Sequence, residues 1–153
     1  YRQVREAMLG SLEERRGAAR ASGLPAPATE ARVVSWGAGE VIQARDAPVD
    51  RFRLVVEGIV DLFAADADGR EVRIAELSAG DFHGEAAIAA GQVSESRAVA
   101  RTDVVEVEVD ARAMAGWLTG SSGLATEIGD AIAQRRRVAQ RLRRRHDGSD
   151  GQT

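Results

Sequence analysis

Between residues 31 and 110 the apolar side chains recur at every second position in short runs, and turn-forming residues close each run. This rhythm limits the fold more than any other feature. A period of two puts one face of a segment in a core and the other towards solvent, which marks a β-strand and excludes a helix. The runs lie at 33–36, 41–44, 52–56, 59–63, 72–77, 97–100 and 104–109. Asp68-Gly69 falls between two of them and predicts a hairpin. Gly37-Ala38-Gly39, Glu57-Gly58 and Ser78-Ala79-Gly80-Asp81 predict further turns. Many short strands at regular spacing predict a sandwich, barrel or roll.

Helical patterns flank the strands. In residues 1–20, Val4, Met8 and Leu12 fall on one stripe with Leu9 beside it. Gly17, then Ser22-Gly23 with Pro25 and Pro27, end that helix and leave a linker at 24–29. The Ala-rich stretch 84–91 has room for one or two helical turns. Asp110 is a good N-cap for a short helix at 111–118, with Trp117 as its anchor. After Gly120-Ser121-Ser122-Gly123, Leu124, Ile128 and Ile132 line one face of a longer helix that Val138 and Leu142 continue. The tail has no apolar residue and is expected to be disordered. The chain thus divides into a helix and linker (1–29), a β-roll (30–120), a C-terminal helix (121–145) and a tail (146–153). The class is α+β.

Composition removes several function classes. With no cysteine, disulfides and thiolate metal sites are excluded, and with two histidines no metal centre is expected. No nucleophile–base set or paired acids in suitable context is visible, so the chain is not expected to be an enzyme. All 21 basic residues are arginine and the net charge is −3, which does not suit a molecule built to coat nucleic acid. The segment Arg135-Arg136-Arg137 to Arg143-Arg144-Arg145 is strongly basic. It suits the end of a solvated helix, and equally a non-specific contact to nucleic acid or anionic lipid. No run is long and apolar enough for a membrane span and no leader is visible, while a first residue other than Met suggests a piece of a longer protein.

Three segments in order resemble the cyclic-nucleotide-binding domain family. They are Gly39-Glu40-Val41-Ile42; Leu54-Val55-Val56-Glu57-Gly58 with Gly69-Arg70-Glu71-Val72; and Gly80-Asp81-Phe82-His83-Gly84-Glu85-Ala86-Ala87-Ile88, leading to Ser96-Arg97-Ala98-Val99-Ala100. The resemblance implies an eight-stranded antiparallel β-roll, jelly-roll-like, with an N-terminal helix, a short phosphate-cassette helix and C-terminal helices. It implies cAMP as ligand, with cGMP as the alternative, and no catalysis. Gly84, Glu85 and Ala86 would form the cassette, with Glu85 taking a ribose hydroxyl. Arg97 would grip the phosphate and the Ala98 N–H would assist. Ile132, with Arg135 or Arg136, would belong to the lid over the base. Ala98 leans towards cAMP, since a Thr or Ser there would favour cGMP.

Elementary chemistry agrees with these roles. Free N–H groups at a helix start suit an anion, a guanidinium offers a fixed charge and a fork of donors, and a carboxylate accepts from a hydroxyl. Taken singly, the same residues have plainer uses. Glu85 can cap its own helix, and Arg97 can pair with Glu85 or another acid. The chain also departs from the family pattern. The segment between Ile88 and Arg97 is longer by a few residues and carries Glu95. His83, expected to pack or lie at the surface, stands where an aromatic is usual, and the usual Gly-Asp before the third strand reads Arg45-Asp46.

The N-terminal stretch is similar to the end of the cytoplasmic vestibule of small-conductance mechanosensitive channels. That resemblance implies the regulatory tail of a bacterial channel at the inner face of the membrane, with homo-oligomerisation through the parent protein. A ligandless scaffold and the ligand-binding part of a cAMP-receptor-type transcription regulator are the alternatives. No recognition helix fits after residue 123, so no specific nucleic-acid contact is expected.

Overall fold

The computed structural model describes the backbone of residues 1–22, 31–88 and 93–150, and side chains at 1–13, 31–86 and 93–142. The described order is α1 (Arg2–Ser22), β1 (Arg32–Trp36), β2 (Val41–Gln43), β3 (Arg51–Glu57), β4 (Val60–Ala65), β5 (Glu71–Leu77), β6 (Phe82–His83), a 3₁₀ turn (Glu85–Ile88), β7 (Ser96–Ala100), β8 (Val104–Asp110), α2 (Ala111–Gly120) and α3 (Ser122–Asp150). The strands form two four-stranded antiparallel sheets, ordered β1-β8-β3-β6 and β2-β7-β4-β5. The class is α+β and the architecture is the expected roll.

Alternation along the strands makes two cores. Between the sheets, Ile42, Val55, Val60, Leu62, Leu77, Ala98, Ala100 and Val104 pack together. On the other face of the first sheet, Phe52, Leu54, Phe82, Val107 and Val109 meet the helices. Val4, Met8 and Leu12 of α1, Met114 of α2, and Leu124, Ile128 and Ala131 of α3 complete that cluster. Each large side chain fully buried there contributes about 1.5–3 kcal/mol. The helical stripes read from the sequence are therefore what holds α1 and α3 on the roll.

The helix ends are fixed by side chains. Asp110 Oδ1 accepts from the Ala113 N–H at 2.8 Å, so the expected cap of α2 is formed. Ser121 alone separates α2 from α3, and its Oγ accepts from the Leu124 N–H at 3.2 Å. The first N–H groups of α1 have no partner within their own helix. Glu127 of α3 accepts from the N–H groups of Gln3 (3.0 Å) and Val4 (2.9 Å), which clamps the start of α1 to α3.

Some elements differ from the sequence reading. β6 has two residues and is too short to show a period. α3 is helical to Asp150, past residue 145 and into the segment expected to be irregular. No proline follows Pro48 to stop it, and an internal glycine costs only about 1 kcal/mol. The linker at 24–29 and the last residues, 151–153, lie outside the described residues.

Two charged groups decorate the sheets. On the second sheet, Arg101 forks onto Asp61 at 2.9 and 2.6 Å and reaches Glu76 at 3.2 Å. Those bonds, Asp61 first, raise the guanidinium above its ordinary range. On the first sheet, Glu108 accepts from both Arg32 and Arg53.

Candidate functional site

A cavity of about 590 Å³ opens between the 3₁₀ turn, β7, the β2–β3 loop and α3. Its size is in the range of small-molecule sites. Gly84, Glu85 and Ala86 of the turn line it, with Ala98 of β7 and Ile132 and Arg135 of α3. Six of the seven residues singled out from sequence thus share one wall-to-wall space, although they lie up to 51 positions apart in the chain.

Local geometry explains the turn. Gly84 has φ +85°, and a Cβ there would sit 2.3 Å from the Arg51 carbonyl oxygen. Only glycine lets the turn lie this close to β3. The close approach is thus to the protein's own backbone. Glu85 follows on the turn, half-buried, and Arg135 of α3 reaches it at 2.5 Å. Arg135 also donates to the Phe82 carbonyl oxygen, and its Cζ lies 5.2 Å from the Phe82 ring centroid. One arginine therefore ties α3 to the turn through a carboxylate, a carbonyl and a ring.

Arg97 is the residue that moves out of the set. In β7, Ser96 and Ala98 face the cavity. Alternation then sends residue 97 to the opposite face. There its guanidinium forks onto Glu71 at 2.9 and 2.8 Å and lies 5.5 Å from the Phe63 ring centroid. Phe63 is its cross-strand partner. The plainer use of Arg97, pairing with an acid, describes its placement. Ala98 sits between β2 and β4, so its backbone is enclosed by strands on both sides.

Other residues of the cavity were not singled out as ligand contacts. Arg45 and Asp46 come from the β2–β3 loop, Glu95 from the approach to β7 and His83 from β6, while Arg136 of α3, the alternative to Arg135 for the lid, lines the cavity as well. His83 is buried, and its Nε2 is 2.5 Å from Glu106, which is itself fully buried. Of the two roles expected of His83, packing or surface, the structure has the buried one, with Glu106 as its partner. The cavity wall carries the acids Asp46, Glu85 and Glu95 against Arg45, Arg135 and Arg136, so formal charge balances and any anion must find a particular donor. The signal for Arg45 was present in the sequence as the departure from Gly-Asp. Nothing in the spacing pointed to Glu106.

The family model for the cyclic nucleotide-binding domain matches residues 33–119. That span runs from β1 to the last turn of α2 and covers more than half the chain. The chain belongs to the cyclic-nucleotide-binding domain family. Solved structures agree with the fold of such a domain. The regulatory subunit of a cAMP-independent protein kinase A from Trypanosoma brucei, in a triply substituted form bound to cAMP in its A site, is 26% identical with a TM-score of 0.51. The match covers 54% of this chain and only 30% of that one. The N-terminal domain of a transcriptional regulator from Streptomyces coelicolor A3(2) is 25% identical, with a TM-score of 0.54 and coverage of 86% and 89%. The Thermus thermophilus catabolite activator protein is 22% identical, with a TM-score of 0.63 and coverage of 72% and 52%. A search of curated protein sequences gave no match. Among the described residues no helix is long and apolar enough to cross a membrane.

Within this cyclic-nucleotide-binding domain the matched span stops before α3. The contact between Glu85 and Arg135 therefore joins the matched span to a helix beyond it.

Proposed function

We propose that this domain is a receptor for a cyclic mononucleotide, cAMP by preference, whose occupancy is reported by α3. The observation that carries the reading is the pair between Glu85 on the turn and Arg135 on α3. Glu85 is the carboxylate placed to accept from a ribose hydroxyl. While Arg135 holds it, α3 is tied to the turn. A ribose that takes Glu85 competes with Arg135 and loosens that tie. The ligand then shifts α3 only by its preference for the released state. Ile132, on the same stretch of α3, supplies an apolar surface to the base. Gly84 lets the turn pack against β3, and Ala86 keeps the path to the turn's N–H groups free of bulk. Ala98 offers a methyl and no hydroxyl, which supports adenine over guanine. Calorimetric titration with cAMP and cGMP tests this reading: cAMP binds at one site, more tightly than cGMP, and Glu85→Gln weakens both. Absence of heat from either nucleotide at millimolar concentration would end it.

A second reading takes a nucleoside without phosphate. It is favoured by Arg97 lying outside the cavity and by Glu95 on its wall. Adenosine or guanosine binding tighter than cAMP supports it.

The output partner is a further proposal. Glu127 clamps the start of α1 to α3, so a displaced α3 acts directly on the segment at the N-terminal side. We carry the reading that this segment is a channel at the cytoplasmic face of the membrane, working as a homo-oligomer. The competing output, transcription control, is supported by the likeness to bacterial regulators. Conductance of the full-length protein that responds to cAMP supports the first. Salt-dependent duplex binding that responds to cAMP supports the second.

A further inference from the structure

We infer that Arg45 is the anion anchor of this cavity, in the place that a β7 arginine was expected to fill. The inference deepens the cyclic-nucleotide reading and rests on it for the identity of the ligand. Arg45 differs from the other arginines in and beside the cavity. Arg97 faces Glu71, Arg135 is engaged by Glu85, and Arg136 is exposed on α3. Arg45 lines the cavity, and its Nη1 is buried without a hydrogen-bond partner. An unpaired buried guanidinium N–H is a costly state, and a small turn of the side chain into the cavity brings it to a ligand oxygen or a water that relieves it.

The loop that carries Arg45 is held in place. Asp46 N–H donates to the Ser94 carbonyl at 2.8 Å, Ser94 N–H donates to the Ala47 carbonyl at 3.0 Å, and Pro48 bridges to Val93. Asp46 adopts φ +63°, a conformation open to few residues other than glycine, asparagine and aspartate. These contacts fix the Arg45 backbone beside the strand entry that leads into β7. Arg45 lines the cavity there together with Ser94 and Ser96. Its planar fork fits the two free oxygens of a singly charged phosphodiester.

The test compares cAMP and adenosine binding to the full chain, to Arg45→Gln and to Arg97→Gln by calorimetry. Arg45→Gln is expected to weaken cAMP by about 20-fold, the loss of a charge-assisted hydrogen bond, and to leave adenosine unchanged. Arg97→Gln is expected to change neither. Unaltered cAMP affinity in a folded Arg45→Gln variant, checked by circular dichroism, overturns the inference. If the unsubstituted chain binds no cAMP, the cyclic-nucleotide reading falls, and the anchor is judged with inorganic phosphate. A saturable shift of the Arg45 Nε–Hε resonance, absent in Arg45→Gln, upholds an anion site. No shift with phosphate overturns the anchor as well.

Discussion

Replacing Arg135 by alanine separates two roles that this side chain has in principle. As a competitor for Glu85, it holds the unliganded state. As a lid over the base, it holds the liganded one. The structure gives the magnitude. Arg135 makes charge-assisted bonds to Glu85 and to the Phe82 carbonyl, with 14% and 21% of the paired side chains exposed. Each such bond is worth about 1.5–3 kcal/mol when fully buried. Glu85 faces an open cavity and regains water, so a net loss of about 1–2 kcal/mol is reasonable after screening. α3 stays docked through Leu124, Ile128 and Ala131, so the fold persists. The melting temperature is expected to fall by about 2–8 °C. If the Arg135 tie must open before ligand takes Glu85, removing it tightens cAMP by about 5- to 30-fold. Calorimetry on the purified variant reads this directly. Weaker cAMP binding in a folded Arg135→Ala protein would refute the competition argument and assign Arg135 to the lid.

Three other substitutions test the scaffold. Gly84→Ala forces a Cβ against the Arg51 carbonyl in a positive-φ conformation, and urea unfolding is expected to show a loss of at least about 1–2 kcal/mol with weakened ligand binding. Asp110→Ala removes the α2 cap and is expected to cost about 1 kcal/mol in the same assay. Glu127→Ala frees the Gln3 and Val4 N–H groups, and hydrogen exchange is expected to accelerate across the first turns of α1 while the β-strand amides keep their protection.

Much of this architecture was legible because period-two alternation and the Val4, Met8, Leu12 stripe are written directly in the residue order. Asp110 was legible for the same reason, since a cap is a local event. β6 was not, because two residues carry no period. The extension of α3 to Asp150 was hidden behind a polar composition that suits a solvated helix as well as a tail. At the site, Gly84, Glu85, Ile132 and Arg135 were singled out because their spacing follows a known pattern, and they line one cavity. Arg97 was misplaced for a simple physical reason. A one-residue step along a strand reverses the face, and the choice of which residue near 97 looks inward depends on pairing with β2 and β4. The pairs Glu85–Arg135 and His83–Glu106 join distant segments, and pairing of that kind is invisible without the fold.

The central claim is that a cyclic nucleotide in this cavity moves α3 relative to the roll. The chain has no cysteine, so spin labels on Ala67→Cys in the β4–β5 turn and Arg137→Cys on α3, both exposed, report that distance cleanly. Pulsed dipolar spectroscopy with and without saturating cAMP is the direct measurement. The account predicts a shifted distance distribution that Glu85→Gln abolishes. Identical distributions in a sample shown by calorimetry to be saturated with cAMP would contradict it.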